Sequence, residues 1–117
     1  EHLDGDERMK FFNECYRIMK VGGKMRHVHP YYKSVRAVQD PTHKWPPISE
    51  NSYFYWDKNW RELNKLNHYP INCDFEFNIY YSWQDPTVVN RSEETRVFWI
   101  DKYWNVVVDM IVDMIKR

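Results

Sequence analysis

The chain has 117 residues, which is enough for one domain with a buried core. Its 17 basic side chains balance its 17 acidic ones, so we expect no strongly basic face for nucleic acid or for an anionic membrane surface. The sequence contains no apolar run of about 18 residues and opens with no leader-like pattern, so we expect neither a membrane span nor a signal peptide.

Glycine and cysteine usage excludes two kinds of site. Gly5, Gly22 and Gly23 are the only glycines, which is too few for a glycine-rich loop around a nucleotide phosphate. Cys15 and Cys73 lie far apart and form no C-x-x-C pair, so a zinc site built on thiolates is excluded. One disulfide remains an alternative, but we favour two buried free thiols, which indicates a cytoplasmic protein.

The first predicted element is a helix from about Asp6 to Lys20. Asp4 and Glu7 have the spacing of a capping box, and Gly22-Gly23 supplies a left-handed stop. The apolar residues that recur at helical spacing between these signals are Met9, Phe12, Tyr16 and Met19.

A short strand is predicted next, from Lys24 to His29, and it ends at Pro30. Alternation along a strand places Met25, His27 and His29 on one face. This face is polar for a central strand, so we expect it to border a cavity or an interface.

The middle of the chain predicts a loop from Tyr31 to about Ser52, where three prolines fall between Pro41 and Pro47. Residues 52–66 are compatible with a helix, although the aromatic residues there are irregularly spaced. Residues 73–83 alternate between apolar and polar side chains, which predicts a half-buried strand, and a polar connection follows over residues 84–94.

The last stretch, residues 96–117, has two interpretations. Helical spacing links the apolar residues Val107, Met110, Ile111 and Met114. The high content of β-branched residues instead favours one long strand from Val106 to Ile115, and we adopt this interpretation.

Two histidine motifs carry potential chemistry. His27-x-His29 is a spacing that metal sites use, with Asp40, His43 or His2 as further ligands, but hydrogen-bonded histidines are the more common outcome and we predict no metal. Asp40-Pro41-Thr42-His43 suits an acid–base pair, although Asp40 can equally cap a tight turn by accepting hydrogen bonds from nearby amides.

Aromatic residues make up 18% of the chain, and many lie in one region. This aromatic belt can line a substrate pocket, fill the core or form a subunit interface. Its members are Trp45, Tyr53, Phe54, Tyr55, Trp56 and Trp60.

Together these segments resemble the C-terminal half of a class I S-adenosylmethionine-dependent methyltransferase. Glu1-His2-Leu3 leads into the first helix, and Arg17-Ile18-Met19-Lys20 ends it before Gly22-Gly23, as in the family's segment between its fourth and fifth strands. The Asp-Pro-Thr-His of residues 40–43 resembles a loop found in one subgroup. The predicted strands over residues 73–83 and 106–115 resemble the family's antiparallel sixth and seventh strands.

The resemblance implies an α/β fold with a partial Rossmann-like sheet of strands five to seven, the last two antiparallel, and flanking helices. It implies that Glu1, His2 and Leu3 border the edge of the cofactor pocket. It also makes four residues candidates for the side facing the methyl acceptor, whose identity stays unknown: Tyr31, Tyr32, Asp40 and His43.

In the family, S-adenosylmethionine is held by a glycine-rich loop after strand one and an acidic residue after strand two. Neither has a counterpart here, so we expect the chain alone to bind no donor and to be inactive by itself. In the family's sheet, strand five pairs with strand four on one side and strand seven on the other. A free edge at Lys24 to His29 therefore predicts a homo-oligomer.

Two alternatives from other functional classes remain open. One is a non-enzymatic binding or oligomerisation module that uses the aromatic belt, and this alternative predicts no pocket near His2 and Asp40. The other is a metal-dependent enzyme that uses His27, His29 and His43.

Overall fold

The computed structural model describes residues 1–117 as an α/β arrangement of one antiparallel sheet with five α-helices. None of these helices is long and apolar enough to cross a bilayer. In chain order the elements are α1 (Gly5–Ile18), β1 (Lys24–Pro30), α2 (Val35–Gln39), α3 (Glu50–Phe54), α4 (Lys58–Leu63), β2 (Phe75–Trp83), a 3₁₀ helix (Pro86–Asn90), α5 (Glu93–Lys102) and β3 (Val107–Lys116).

The sheet has the strand order β1-β3-β2, so the last strand of the chain is central. β3 pairs antiparallel with both neighbours, with Ile115 opposite Lys24 of β1 and opposite Glu76 of β2. The predicted antiparallel pairing of the last two strands is therefore confirmed. The outer edge of β1 has no strand beside it.

One face of the sheet is covered and forms the core. Met110, Val112 and Met114 of β3 are fully buried, and they lie opposite His29, His27 and Met25 of β1. The prediction that these three β1 residues share a face is confirmed. The other face carries charges: Arg26 donates two hydrogen bonds to Asp113, and Arg36 donates to Asp109.

α1 forms as predicted and closes the covered face. The Glu7 amide donates to Asp4 Oδ1 at 2.9 Å, and the Asp4 amide donates to Glu7 Oε2 at 2.8 Å, which is the expected capping box. Phe12 stacks on Trp56 with the ring centroids 4.4 Å apart. The helix ends at Ile18, slightly before the predicted end, and Gly22 follows with φ of +76°.

The middle of the chain is more helical than predicted. The predicted loop over residues 31–52 contains α2, which begins where Ser34 Oγ accepts a hydrogen bond from the Arg36 amide. The single helix over residues 52–66 is instead two, because Asp57 caps a new helix by accepting from the Trp60 amide at 3.2 Å.

The last stretch of the chain, residues 96–117, contains most of a helix as well as the predicted strand. β3 confirms the strand over residues 106–115, but residues 93–102 form α5, which the sequence interpretation missed. α5 has no buried residue, so it lacks the apolar stripe that marks a helix in a sequence. Its start is marked only by Ser92, whose Oγ accepts from the Thr95 amide at 3.2 Å.

Candidate functional site

The first residues of the chain lie against the loop that follows α2. The Lys44 amide donates to the Glu1 carbonyl at 2.8 Å. His2 Nδ1 lies 3.1 Å from Thr42 Oγ1 and 3.3 Å from the Thr42 carbonyl oxygen. The rings of His2 and His43 meet edge to face with centroids 4.8 Å apart. The fold therefore brings together two segments that are far apart in the sequence.

Asp40 serves the tight turn that the sequence suggested. Its Oδ1 accepts hydrogen bonds from the Thr42 amide at 2.8 Å and from Thr42 Oγ1 at 2.7 Å. These bonds hold the pKa of the Asp40 carboxyl below its ordinary value. The second carboxylate oxygen, Oδ2, lies 3.6 Å from His43 Nε2, so the same side chain caps the turn and faces the imidazole.

His43 is held in one tautomer by the backbone. Its Nδ1 lies 3.1 Å from the Ala37 carbonyl oxygen, which can only accept a hydrogen bond, so Nδ1 carries the proton. In the neutral ring this leaves an unprotonated Nε2 that faces Asp40. Its side chain is 11% exposed, so the histidine is largely enclosed but still reachable.

Two cavities open beside these residues. One of about 110 Å³ lies between α1, β1 and α3 and includes Glu1, Leu3, His27 and His29 in its wall. The prediction that the histidine face of β1 borders a cavity is therefore confirmed. The other, of about 220 Å³, lies at the surface and is lined by Asp40 and His43 among others.

Arg8 is a site residue that the sequence interpretation missed. It is 8% exposed, lines the smaller cavity, and donates from Nη1 to the Pro46 carbonyl at 2.6 Å and from Nη2 to the Lys44 carbonyl at 3.3 Å. Its Nε is buried without a partner, and burial lowers the pKa of this guanidinium. The sequence could have indicated its burial, because Arg8 lies four residues before Phe12 and so shares the buried face of α1.

His27 and His29 do not join His43 in one ligand set. His29 Nδ1 donates to the Pro30 carbonyl at 3.1 Å, and its Nε2 accepts from Tyr53 Oη at 2.9 Å. His27 packs on Phe12 at a centroid distance of 5.2 Å. Burial lowers the pKa of both imidazoles, and both are core residues. The group of potential metal ligands in the structure contains His43 but neither His27 nor His29, so the ligand set of the metal-dependent alternative is not assembled.

Tyr31 and Tyr32 belong to a different cluster from Asp40 and His43. Tyr31 is 3% exposed and its Oη donates to Glu50 Oε2 at 3.3 Å. Burial and the adjacent carboxylate raise the pKa of Tyr31 well above its usual range. Tyr32 packs on Tyr31 with centroids 4.8 Å apart, and Tyr81 contacts Tyr31 from β2.

The aromatic belt does not form one surface. Tyr53 and Trp56 are core residues with 2% and 6% exposure, whereas Trp45 is 79% exposed. The two cysteines are free as predicted, but only Cys73 is buried, whereas Cys15 is partly exposed. Burial raises the pKa of the Cys73 thiol to about 12. Neither the belt nor the thiols therefore adds a reactive surface to the site.

No family model, no curated protein and no solved structure matches this chain. The resemblance to methyltransferases that the sequence suggested therefore stays a prediction.

Proposed function

We propose that this chain forms the acceptor-side half of an S-adenosylmethionine-dependent methyltransferase. The observation that carries the proposal is the contact between residues 1–2 and the turn of residues 40–43. The resemblance assigns the first segment to the donor pocket and the second to the acceptor side, and the two lie together at one place. The strand order β1-β3-β2, with β3 antiparallel to both neighbours, supports the same assignment.

The geometry suits proton removal from a methyl acceptor. An acceptor oxygen or nitrogen must lose its proton when it gains the methyl group, so a base beside it speeds the reaction. In its neutral form His43 has Nε2 available to accept a proton, because Nδ1 donates to the Ala37 carbonyl, and Asp40 lies 3.6 Å from Nε2 to stabilise the imidazolium that forms. The cavity of about 220 Å³ beside these residues admits a small acceptor from solvent.

The donor side is incomplete within these residues. The cavity beside Glu1 and Leu3 measures about 110 Å³, whereas pockets for drug-sized ligands are commonly about 300–1,000 Å³. Aromatic walls at Phe11, Phe12 and Trp56 suit the sulfonium of the donor, since cations are attracted to ring faces. The cavity thus fits one end of the donor, and the rest needs residues from elsewhere.

Calorimetric titration with S-adenosylmethionine tests this function. We expect no binding to the 117-residue chain, and micromolar binding with methyl transfer in an extended chain that also carries a donor-binding half. Micromolar affinity of the 117-residue chain alone would contradict the half-site. Absence of donor binding by the extended chain would contradict the methyltransferase assignment.

A matched pair of variants tests the role of His43 in that extended chain. We expect His43→Gln to slow methyl transfer by about 10²- to 10⁴-fold while donor affinity stays the same, because a general base acts only on the chemical step. His68→Gln, in an exposed part of the chain, should leave the rate unchanged. Equal rates for both variants would remove His43 from the mechanism.

We also propose that the free edge of β1 pairs with a second copy of the chain, and that neither nucleic acid nor a membrane is a partner. An unpaired strand edge offers a row of free amides and carbonyls to another strand. Analytical ultracentrifugation at micromolar concentration should show a dimer that Val28→Lys weakens, because a lysine on an edge strand opposes pairing. Val21→Lys, exposed in the preceding turn, is the control, and a monodisperse monomer would count against the dimer.

The non-enzymatic alternative is the weaker candidate. It predicts no pocket near His2 and Asp40, yet the cavity of about 220 Å³ is lined by Asp40. Its core aromatic residues Tyr53 and Trp56 are also unavailable for an interface. A stable dimer whose extended form binds no methyl donor would restore it.

A further inference from the structure

Glu1, His2 and His43 form the one group of three metal-ligating side chains in the molecule. Their potential ligand atoms all lie within 4.8 Å of one another. Two imidazole nitrogens and one carboxylate oxygen match the donor sets of catalytic zinc sites, which use three protein ligands and leave a position open. In methyl transfer His43 would act as a base, and no residue of this group would bind a metal.

Hydrogen bonds on the far side of each ring prepare both histidines for coordination. His43 Nδ1 donates to the Ala37 carbonyl, which leaves Nε2 free. Thr42 Oγ1 donates to Asp40 Oδ1 at 2.7 Å, so the same hydroxyl accepts from His2 Nδ1 at 3.1 Å. The free His2 Nε2 lies 3.7 Å from Glu1 Oε1. Metal-bound histidines almost always donate their second ring proton to a carbonyl or a polar side chain in this way.

The distances lie within reach of a tetrahedral site. With bonds of about 2.0 Å, ligand atoms around zinc are about 3.3 Å apart, so atoms that lie within 4.8 Å of one another have to close by up to about 1.5 Å. The His2 side chain is 55% exposed and can rotate to do so. Asp40 Oδ2, 3.6 Å from His43 Nε2, adds a second negative charge to the site. The neighbouring Lys44 does not compete for Glu1, because its ammonium is paired with Glu7 at 2.9 Å.

We infer that Glu1, His2 and His43 bind a divalent transition cation, with zinc as the best fit. The bound ion joins the start of the chain to the turn of residues 40–43 and leaves an open coordination position near the cavity at Asp40. This inference stands whether or not the chain transfers methyl groups, since the ligands and their orienting hydrogen bonds are present without a donor. An ion on His43 Nε2 occupies the atom that the proposed base uses, so His43 cannot act as the base while the ion is bound.

Titration of the untagged, metal-stripped chain with zinc chloride tests the site. We expect one equivalent to bind by calorimetry, and cobalt chloride to give the visible absorption of a tetrahedral complex. His2→Gln and His43→Gln should each lower zinc affinity by at least about 100-fold. Thr42→Val, which removes the partner of His2 Nδ1, should lower it by about 10- to 100-fold.

His68→Gln is the matched control, because His68 is exposed and belongs to no metal-ligating group. It should bind zinc as the unaltered chain does. If His43→Gln unfolds, as judged by circular dichroism, then His2→Gln decides, since His2 is exposed at the surface. Unchanged affinity in His2→Gln, loss of affinity in His68→Gln, or no stoichiometric binding to the unaltered chain would each overturn the inference.

Discussion

Tyr81 Oη donates a 2.6 Å hydrogen bond to Oε1 of Glu50, and this contact joins the first turn of α3 to β2. The other oxygen of Glu50 accepts from Tyr31. Partial burial and the carboxylate raise the pKa of Tyr81 above its usual range. One carboxylate thus connects three parts of the chain in a poorly solvated position, where hydrogen bonds to a charge are strong.

Removing this hydroxyl should destabilise the fold. We expect Tyr81→Phe to lower the free energy of unfolding by about 1–3 kcal/mol, measured by urea denaturation, because Glu50 loses a charge-assisted hydrogen bond. The double variant with Glu50→Gln should lose less than the sum of the single losses. Tyr80→Phe is the control, since Tyr80 is 52% exposed on the opposite face, and an equal loss there would contradict the assignment.

Replacing Arg61 by lysine should destabilise the fold. It is 4% exposed and donates to the carbonyls of Tyr55 at 2.6 Å and Cys73 at 2.8 Å. A lysine ammonium cannot reproduce this fork, so we expect Arg61→Lys to lower the unfolding free energy by about 1–3 kcal/mol in urea. Arg17→Lys, at an exposed pair with Glu14, should change it by less than about 0.5 kcal/mol, and similar effects at both sites would count against this role.

The free energy of unfolding should decrease when the pH is lowered from 7.5 to 5.5. Burial lowers the pKa of His27 and His29 in the folded chain, while an unfolded histidine titrates near about 6.5. Below about pH 6.5 the unfolded chain therefore binds more protons than the folded chain. The stability that the two neutral histidines contribute is fully present above about pH 6.5 and is lost as the pH falls toward their folded pKa values. Urea midpoints at the two pH values measure the loss.

Histidine variants identify the source of that pH dependence. The double variant His27→Gln/His29→Gln should show a smaller difference between the two midpoints, although both midpoints are lower. His68→Gln should retain the full difference because His68 is exposed. A full difference in the double variant would place the titrating groups elsewhere.

The three glycines should respond differently to alanine. Gly22 has φ of +76°, so Gly22→Ala should destabilise by about 1–2 kcal/mol. A Cβ on Gly23 would lie 2.7 Å from the Lys20 carbonyl oxygen, so the turn must shift and Gly23→Ala should also destabilise. Gly5 begins α1 with nothing within 4 Å, so Gly5→Ala should stabilise by up to about 1 kcal/mol. Thermal denaturation ranks them, and a destabilised Gly5→Ala would contradict this order.

The sheet and the first helix were predictable because their signals are local. A capping box, a glycine stop and a period-two pattern all operate within a few residues, and they located α1, β1, β2 and β3 close to their observed positions. α5 was not predictable from such patterns. It is positioned by distant contacts, including hydrogen bonds from Lys33 Nζ to the carbonyls of Ile100 and Asp101.

In the candidate site too, the local contacts could be predicted from the sequence and the distant ones could not. The proximity of Asp40 and His43 follows from their spacing in a tight turn, so both could be named from the sequence. The meeting of His2 with Thr42 depends on the path of the intervening chain, which no local pattern encodes. Arg8 was not predicted to be a site residue because charged side chains are ordinarily expected to be exposed to solvent.

The central position of β3 determines when the molecule can assemble during synthesis. Lys24 of β1 lies opposite Ile115, and Phe75 of β2 lies opposite Lys116, and both partners belong to β3. Neither outer strand can therefore pair in the sheet until β3 has left the ribosome. Pairings between such distant residues slow folding. β1 therefore stays unpaired until β3 has been made, and β2 joins it in that state once it is complete, a stage at which unpaired strand edges are exposed to aggregation.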